Sequence, residues 1–513
     1  MKKLILALAF LLPIVLAAAI SVAVVWEVRE AGSDTNGGGF KAGATGTDMS
    51  IFNNKNLGAC TNCQSDTVNI STTDAATTTT TTLTSATANF SAAIVGNIIY
   101  LTIGGGSCNS GTVNAQRREV TARTNVTTIT LDATPTGSGD TCTGVTMNIG
   151  GALQTLGELA SARGMVASNK AFVTSLTTTL PTVVTFGQTG VTPTNAVTAS
   201  WIEGYTGARG DGGKASVTFD AASANISLSF SNSGWVVQNL DVNCSSVSVA
   251  SGIKVSTFST VARNKVSNCT SYGIYTGTYS AVYSNEVAST TSAASASIYH
   301  SGYGFVVDNY VHDGAAPGVV LAGFASAAVG NVIVNNSGAS SYGISATYQD
   351  LIYGNTISGS GSHGIYRATT NDYGNLTINN VIANSGTSGT VYGIQGNSTG
   401  AVAAQPVFDG NCFYNNLSGA RNNMDDTTGI RGVGPYTNVF DKLVTAGDIF
   451  TNAVGGDWSL NATANRGVLC RSAAVPATWP GLATTTNYGD LGAVRHQDPA
   501  PGGGGTKAFP WVQ

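Results

Sequence analysis

Six asparagines, Asn264, Asn285, Asn309, Asn331, Asn355 and Asn380, recur at intervals of 21, 24, 22, 24 and 25 residues. Apolar residues flank them in phase: Ala262/Val266, Tyr283/Val287, Val307/Val311, Val329/Ile333, Tyr353/Ile357 and Ile378/Ile382. Each asparagine therefore reads as the middle of a short period-2 strand. A unit of roughly 20 to 30 residues repeated this often cannot bury an apolar face alone, so it must stack on its neighbours as a solenoid. The units carry strands and Gly-rich turns but no helical stretch, which leaves room only for a coil of parallel β-strands.

A second repeat supports this. Gly252-Ile253, Gly273-Ile274, Gly318-Val319, Gly343-Ile344, Gly364-Ile365 and Gly393-Ile394 mark a second strand start in each unit. Two fixed strand positions with variable loops between them suit a coil of two or three sheets. At a strand spacing of about 4.8 Å, about a dozen coils would make a rod on the order of 55 Å long. The 31-residue step from Asn380 to Asn411 predicts a longer loop around Asn384–Gly400. Buried asparagine amides must be paired, because an unsatisfied one costs roughly 1–3 kcal/mol. Stacked asparagines pair with one another and tolerate the left-handed backbone of sharp corners. The ladder is therefore read as structural.

Only 10% of the 513 residues are charged, against roughly 25% in average globular chains. The 42% apolar content and strand periodicity exclude disorder. A formal net charge of −4 gives no basic footprint for nucleic acid. Lys2 and Lys3 precede an apolar run from Leu4 to Val25 with small residues near its end. Residues 1–23 thus read as a secretory signal peptide, with an uncleaved membrane anchor as the alternative.

Eight cysteines, Cys60, Cys63, Cys108, Cys142, Cys244, Cys269, Cys412 and Cys470, form an even set that reads as disulfides in an exported chain. Cys244 and Cys269 stand 25 residues apart, one coil, and are expected to bridge. The pairing of Cys60, Cys63, Cys108 and Cys142 stays open, and metal binding by Cys60/Cys63 is the lesser alternative.

The predicted organisation follows from these signals. Residues 24–150 form an N-terminal β-rich domain, with strands at Asn97–Ile103, Arg118–Ala122 and Thr127–Asp132. Residues 151–169 form a helix, with Leu153, Leu156, Leu159 and Ala160 at helical spacing, that caps the open first coil. The solenoid occupies 170–460 and a C-terminal cap 461–498. A Gly-rich linker with an apolar tail, Lys507–Gln513, completes the chain.

The Asn-x-[Val/Ile] rungs with their Gly-Ile strand starts resemble right-handed parallel β-helix proteins of the pectate-lyase-like superfamily, over residues 170–460. The stretches Trp26–Phe40 and Asp490–Pro499 resemble uncharacterised phage and environmental β-helix proteins. The resemblance implies an all-β, right-handed parallel β-helix. It does not choose between polysaccharide lyases, hydrolases, tailspikes and adhesins. Lyases of this fold hold Ca²⁺ with several acidic residues, and its hydrolases use clustered aspartates.

The acid–base candidates are Asp308, His312, Asp313, Asp350, His363 and Arg367, with Asp372 nearby. They sit at turns or at unequal offsets from the rungs, with no Asp-x-Asp and no basic residue repeated at coil spacing. Asp425 and Asp426, in the loop Asn422–Asp426, are the candidate Ca²⁺ ligands, and no other cofactor is implied. Tyrosines run along the solenoid, among them Tyr272, Tyr275, Tyr279, Tyr299, Tyr303, Tyr342, Tyr348, Tyr366 and Tyr392, and suggest stacking platforms for sugars; Tyr283 and Tyr353 read as core. Sequons occur at Asn69, Asn89, Asn125, Asn225, Asn243, Asn268, Asn335, Asn375, Asn397, Asn416 and Asn461.

The sequence thus predicts an exported structural or adhesive β-helix of a cell or virion surface. It would self-associate into fibres or homo-oligomers and take glycans on its loops, touching membrane only through the signal segment. The alternative is a polysaccharide lyase or glycoside hydrolase.

Overall fold

The computed structural model describes residues 24–52, 70–108, 116–135, 141–161, 165, 168–177, 179–187, 199–221, 226–245, 251–292, 295–367, 376–386, 389–396, 407–422, 442–445, 447–471 and 492–493. They form two compact units, one up to Thr290 and one from Thr291. Both are built from the same coil of three short strands, one for each of three parallel sheets. In the second unit one coil runs through Ile344–Tyr348, Leu351–Tyr353 and Thr356–Ser358, in the first, second and third sheets respectively. The next coil repeats in step, with Ile344 opposite Ile365, Ile352 opposite Thr377 and Ile357 opposite Ile382. The chain is a parallel β-helix. Its interior is made of stacked middle residues such as Ile333, Ile357 and Ile382, all 0% exposed, each contributing about 1.5–3 kcal/mol of burial.

The asparagines lie at corners, not in mid-strand as their flanking residues suggested. The strand of the second sheet ends before each of them and the strand of the third sheet begins after it. The turning residue is the one before the asparagine, in left-handed backbone: Arg263 (φ 55°) and Ser284 (57°) in the first unit, Asp308 (52°), Gly330 (66°), Gly354 (63°), Asn379 (61°) and Gly410 (63°) in the second. Such a conformation costs a residue with a Cβ roughly 1–2 kcal/mol, and the ladder holds it in place. Asn331 Oδ1 accepts from Asn309 N and Nδ2 at 3.0 and 2.9 Å, while Asn331 Nδ2 donates to Asn355 Oδ1 and Val306 O at 2.9 and 2.8 Å. The pattern continues through Asn355 and Asn380 to Asn411. In the first unit, Asn264 and Asn285 make the same contacts. The Gly before several first-sheet strands is fixed by crowding: a Cβ on Gly343 would fall 2.3 Å from Ile357 Cγ2 and 2.6 Å from Gly364 O.

The N-terminal region departs from the predicted boundaries. Val24–Val28 is not part of the β-rich domain, because it pairs in parallel with Lys170–Val173 and opens the second sheet of the solenoid. Its other edge is covered by Gly39–Lys41, antiparallel. Residues 70–149 then form a closed antiparallel barrel that includes Ile98–Cys108, Gln116–Asn125 and Thr128–Leu131 at the three predicted strand sites. The barrel is thus inserted between two adjacent solenoid strands. The described helix is Leu156–Ser161, shorter than 151–169, because Leu153 is claimed by strand-like bonding to Glu27 O and Arg29 N, both at 2.9 Å. It packs beside Val184–Phe186, the first strand of the first sheet, where a cap is needed. The motif Gly32–Phe40 knots these parts together. Asp34 Oδ1 accepts from the backbone of Gln154 (3.0 Å) and Thr155 (2.9 Å), and a Cβ on Gly37 would meet Ile98 O at 1.8 Å.

The C-terminal segment corrects the boundary at 460. The last described rung of the third sheet is Lys442–Val444, and the following hairpin Phe450–Asn452/Asp457–Leu460 is antiparallel and outside the coil. Rather than closing the end of the rod, Phe450, Trp458 and Leu460 cover the apolar outer face of the third sheet at Val381, Ala383 and Cys412. Among the described residues there are three disulfides: Cys244–Cys269 as expected between adjacent coils, Cys108–Cys142 across the barrel, and Cys412–Cys470 fixing the C-terminal segment. Cys60, Cys63, the signal segment 1–23, the loop around 397–406 and the linker and tail 499–513 lie outside the described residues.

Replacing Asn331 with Leu removes the acceptor of Asn309 N and Nδ2 and the donor to Val306 O, leaving Asn355 Oδ1 only the backbone N–H of residue 331, so it should cost on the order of 3 kcal/mol. A denaturant midpoint unchanged from the parent protein would show that the ladder does not hold the coils in register.

Candidate functional site

The predicted acid–base residues do not converge. Asp308 and Asp313 sit at the two ends of the strand Tyr310–His312, each in left-handed backbone (φ 52° and 55°) at its own corner. Five residues of extended chain separate them by about 16 Å, beyond the roughly 5–10 Å at which two carboxylates share a glycosidic bond. Asp308 is an exposed residue, but its carboxyl leans over Gly330, where a Cβ would lie 2.4 Å from Oδ1. Burial against that neighbour pushes the carboxyl up to about 6. For Asp313, partial burial alone would raise the carboxyl, yet hydrogen bonds from His312 Nδ1 (2.8 Å) and Asn335 Nδ2 (3.1 Å) outweigh it and hold it below the usual range. The His312 ring stacks on Tyr310 at 4.3 Å.

The remaining candidates serve the scaffold. Asp350 is buried and accepts the N–H groups of Ser326 and Thr347, both at 2.9 Å, which ties one corner to the preceding coil. Arg367 is wholly buried in the solenoid interior, in register with Ala346, and donates to Thr377 Oγ1 at 3.2 Å. His363 Nδ1 accepts the Tyr392 N–H at 3.0 Å, so its proton resides on Nε2, and burial lowers its pKa. Asp372, Asp425 and Asp426 lie outside the described residues. Among the described residues, no three His, Cys, Asp or Glu side chains are grouped to hold a metal ion.

One ionic cluster escaped the sequence reading. In the first unit, buried Glu27 accepts from Arg29 Nε (2.8 Å), Arg209 Nε (2.7 Å) and the Tyr205 hydroxyl, while Arg209 also reaches Asp48 (2.6 Å) and Ser50 (2.9 Å). Desolvation and the Glu27 charge raise the Tyr205 pKa. Its members are as far apart as residues 27 and 209, and no local pattern announces them. Both Glu27 oxygens are taken, so the cluster anchors the first strand rather than presenting a reactive group.

Aromatic side chains do converge. On the outer side of the first sheet in the second unit, Tyr342, His363 and Tyr392 stand just before successive strands, near-parallel at 6.1 and 6.4 Å, with Tyr366 against Tyr342 at 4.4 Å. At the opposite ends of the strands, Tyr303, Phe324 and Tyr348 stack at 6.5 and 4.6 Å. In the first unit, Phe258 and Tyr279 stack at 4.9 Å and Lys254 lies over Tyr275. The rings spend their faces on one another, so they offer edges and hydroxyls rather than the open platforms expected. Tyr283 and Tyr353 are not core residues: Val282 and Ile352 point inward and the two tyrosines point out.

Among the described sequons, four have an amide nitrogen already engaged. The amide nitrogens that would carry a glycan donate inside the fold at Asn268 (to Asn243 Oδ1, 3.0 Å), Asn335, Asn416 (to Ile382 O, 3.1 Å) and Asn461 (to Asp448 O, 2.8 Å). Asn89 and Asn125 are exposed, whereas Asn69, Asn225, Asn375 and Asn397 lie outside the described residues.

No family model matches the chain, and no curated protein matches it. Among solved structures it is similar to pectate lyase Pel9A, at 13% identity and a TM-score of 0.48 over 67% of this chain and 92% of that one. It is also similar to the catalytic domain of a GH87 alpha-1,3-glucanase, at 10% and 0.28 over 73% and 90%. The Pseudomonas phage phi297 tailspike matches at 13% and 0.19, over 67% of this chain and 56% of that one. Likenesses this remote do not select a function, and the fold itself rests on the strand pairing.

His300, wholly buried, has its pKa pushed down to about 4 by desolvation. The unfolded chain therefore binds its proton first, and this contribution to stability is lost as pH falls from about 6.5 to about 4. Asp308, shifted upward, opposes it in part of that window. The thermal midpoint of His300→Leu should accordingly decline less than that of the parent protein between pH 7 and 4.5; parallel declines would refute a neutral buried imidazole.

Proposed function

We propose that this chain is an exported β-helix with a structural and adhesive role at a cell or virion surface, able to self-associate and to bind glycans. The observation that carries the reading is how its polar chemistry is spent. Asp350, Arg367 and the asparagine ladder hold coil to coil, and His300 lies in the interior. Disulfides staple two coils, the barrel and the C-terminal segment, which suits an oxidising, extracellular setting. What the described residues leave on the outside is largely uncharged and includes exposed rings such as Phe258, Tyr279, Tyr303 and Phe324.

One observation favours a second reading, a polysaccharide lyase or hydrolase. Asn335 orients Asp313, and Asp313 orients His312, which is the base-and-orienter part of an acid–base site. The two readings separate in a digestion assay. Purified full-length protein is incubated with acidic and neutral polysaccharides, with and without Ca²⁺, and assayed for unsaturated and reducing ends. No cleavage is expected. Cleavage that disappears in Asp313→Ala would replace the structural reading with the enzymatic one.

A further inference from the structure

All three corners of the coil place a residue in left-handed backbone; in the second unit two of them fill that position with residues that suit it, whereas in the first unit the same two corners also carry Arg263, Ser284 and Ser289. Before the ladder in the second unit stand Asp308, Gly330, Gly354, Asn379 and Gly410; after the third-sheet strands stand Asp313, Asn335, Gly359, Asn384 and Asn415. Glycine carries no steric penalty there, and asparagine and aspartate tolerate it. At the third corner, following the first sheet, the same backbone is occupied by Phe258 (φ 53°) and Tyr279 (57°) in the first unit and by Tyr303 (52°) in the second. A bulky side chain in this region is a true outlier.

Burial does not compensate the strain. Phe258 and Tyr279 are each 52% exposed, Tyr303 is 44% exposed and Phe324 is 45% exposed. In the next two coils of the second unit the left-handed residue becomes Ala325 and Gln349, yet a ring is still supplied from the preceding position by Phe324 and Tyr348. What persists from coil to coil is an exposed ring at this corner, whichever residue brings it. Stacking on one another returns part of that cost, yet much of the ring surface stays exposed in one column, and an exposed aromatic column on a strained corner marks a surface shaped for a ligand.

We infer that the corner carrying Tyr303, Phe324 and Tyr348 binds a neutral glycan lying along the coils. This deepens the adhesive reading and rests on it. The chemistry favours that occupant. Around the rings stand Ser301, Gly323, Ser326, Thr347 and Gln349, and the acid and base nearest in sequence, Asp350 and His300, are buried. With no exposed charge among the described residues of these corners, a polyanion gains nothing there. The ring surface left exposed on Tyr303 and Phe324 can pack against the apolar C–H face of a sugar, and the tyrosine hydroxyls and Gln349 amide match its hydroxyl groups.

The test uses the full-length protein in native gels containing hydroxyethylcellulose, galactomannan or soluble starch as neutral probes, and polygalacturonate or alginate as acidic ones. The double variant Tyr303→Asn/Phe324→Ser should bind the retarding neutral polymer about tenfold more weakly. Because asparagine accepts the left-handed backbone, its thermal midpoint should stay level or rise, whereas a merely structural role for the rings would lower it. Retardation by at least one neutral probe, lost in the variant, supports the inference. Retardation by none, undiminished retardation of the variant, preference for the acidic probes, or a parent oligomer that the variant dissociates would each overturn it. Cleavage in the digestion assay would instead remove the adhesive reading, leaving the binding measurement interpretable by itself.

Discussion

The two-atom exchange between successive asparagine amides is the contact on which the coil depends. Each Oδ1 takes a backbone and a side-chain N–H from the coil before it, and each Nδ2 reaches the coil after it. A strand of three residues has too few backbone bonds to fix its own register, and a slip by one would turn Ile357 or Ile382 outward. The ladder resists the slip because the side-chain exchange between successive coils forms only where asparagine meets asparagine. It also stabilises the left-handed residue before it, so each corner is both the hinge and the lock of its coil.

Given that lock, the interior accommodates unusual occupants. Arg367 and His300 point into the core of the second unit at positions that other coils fill with Leu321 and Ala346. Desolvation drives the imidazole to its neutral form, while the guanidinium donates a hydrogen bond to Thr377. Arg367 looks like a catalytic candidate in the sequence because charged residues are rare here. The pleat decides otherwise: in a three-residue strand the end residues share one face and the middle residue the other, but the corner turns of the first sheet direct both ends inward, as Ile298 and His300 show.

The solenoid was legible because its signal is a repeat of residue type, and repetition survives without knowledge of contacts. The corners were misplaced because a period-2 pattern reads straight through a turn when the flanking residues on both strands are apolar. The barrel was legible only as strands, since its closure brings Ile70 against Ile149, a pairing that no local pattern encodes. Glu27 and Arg209 were invisible as partners for the same reason. The helix was overextended because Leu153 fits helical spacing, whereas its backbone is recruited to extend a sheet.

A solenoid also limits how a site can be assembled. Neighbouring residues on one strand end at different corners, as Asp308 and Asp313 do, so nearness in sequence does not bring groups together. Groups meet when they occupy the same column in adjacent coils, about 4.8 Å apart. In the second unit the column of Asp308 continues with Gly330 and Gly354, and that of Asp313 with Asn335 and Gly359. Neither repeats its carboxylate. The column of Tyr303 does repeat its chemistry, although the register shift between Leu321 and Phe324 moves the ring by one residue and hides it from a search at fixed spacing. The aromatic corner, rather than the scattered acids, is therefore the place where side chains of one kind meet across successive coils.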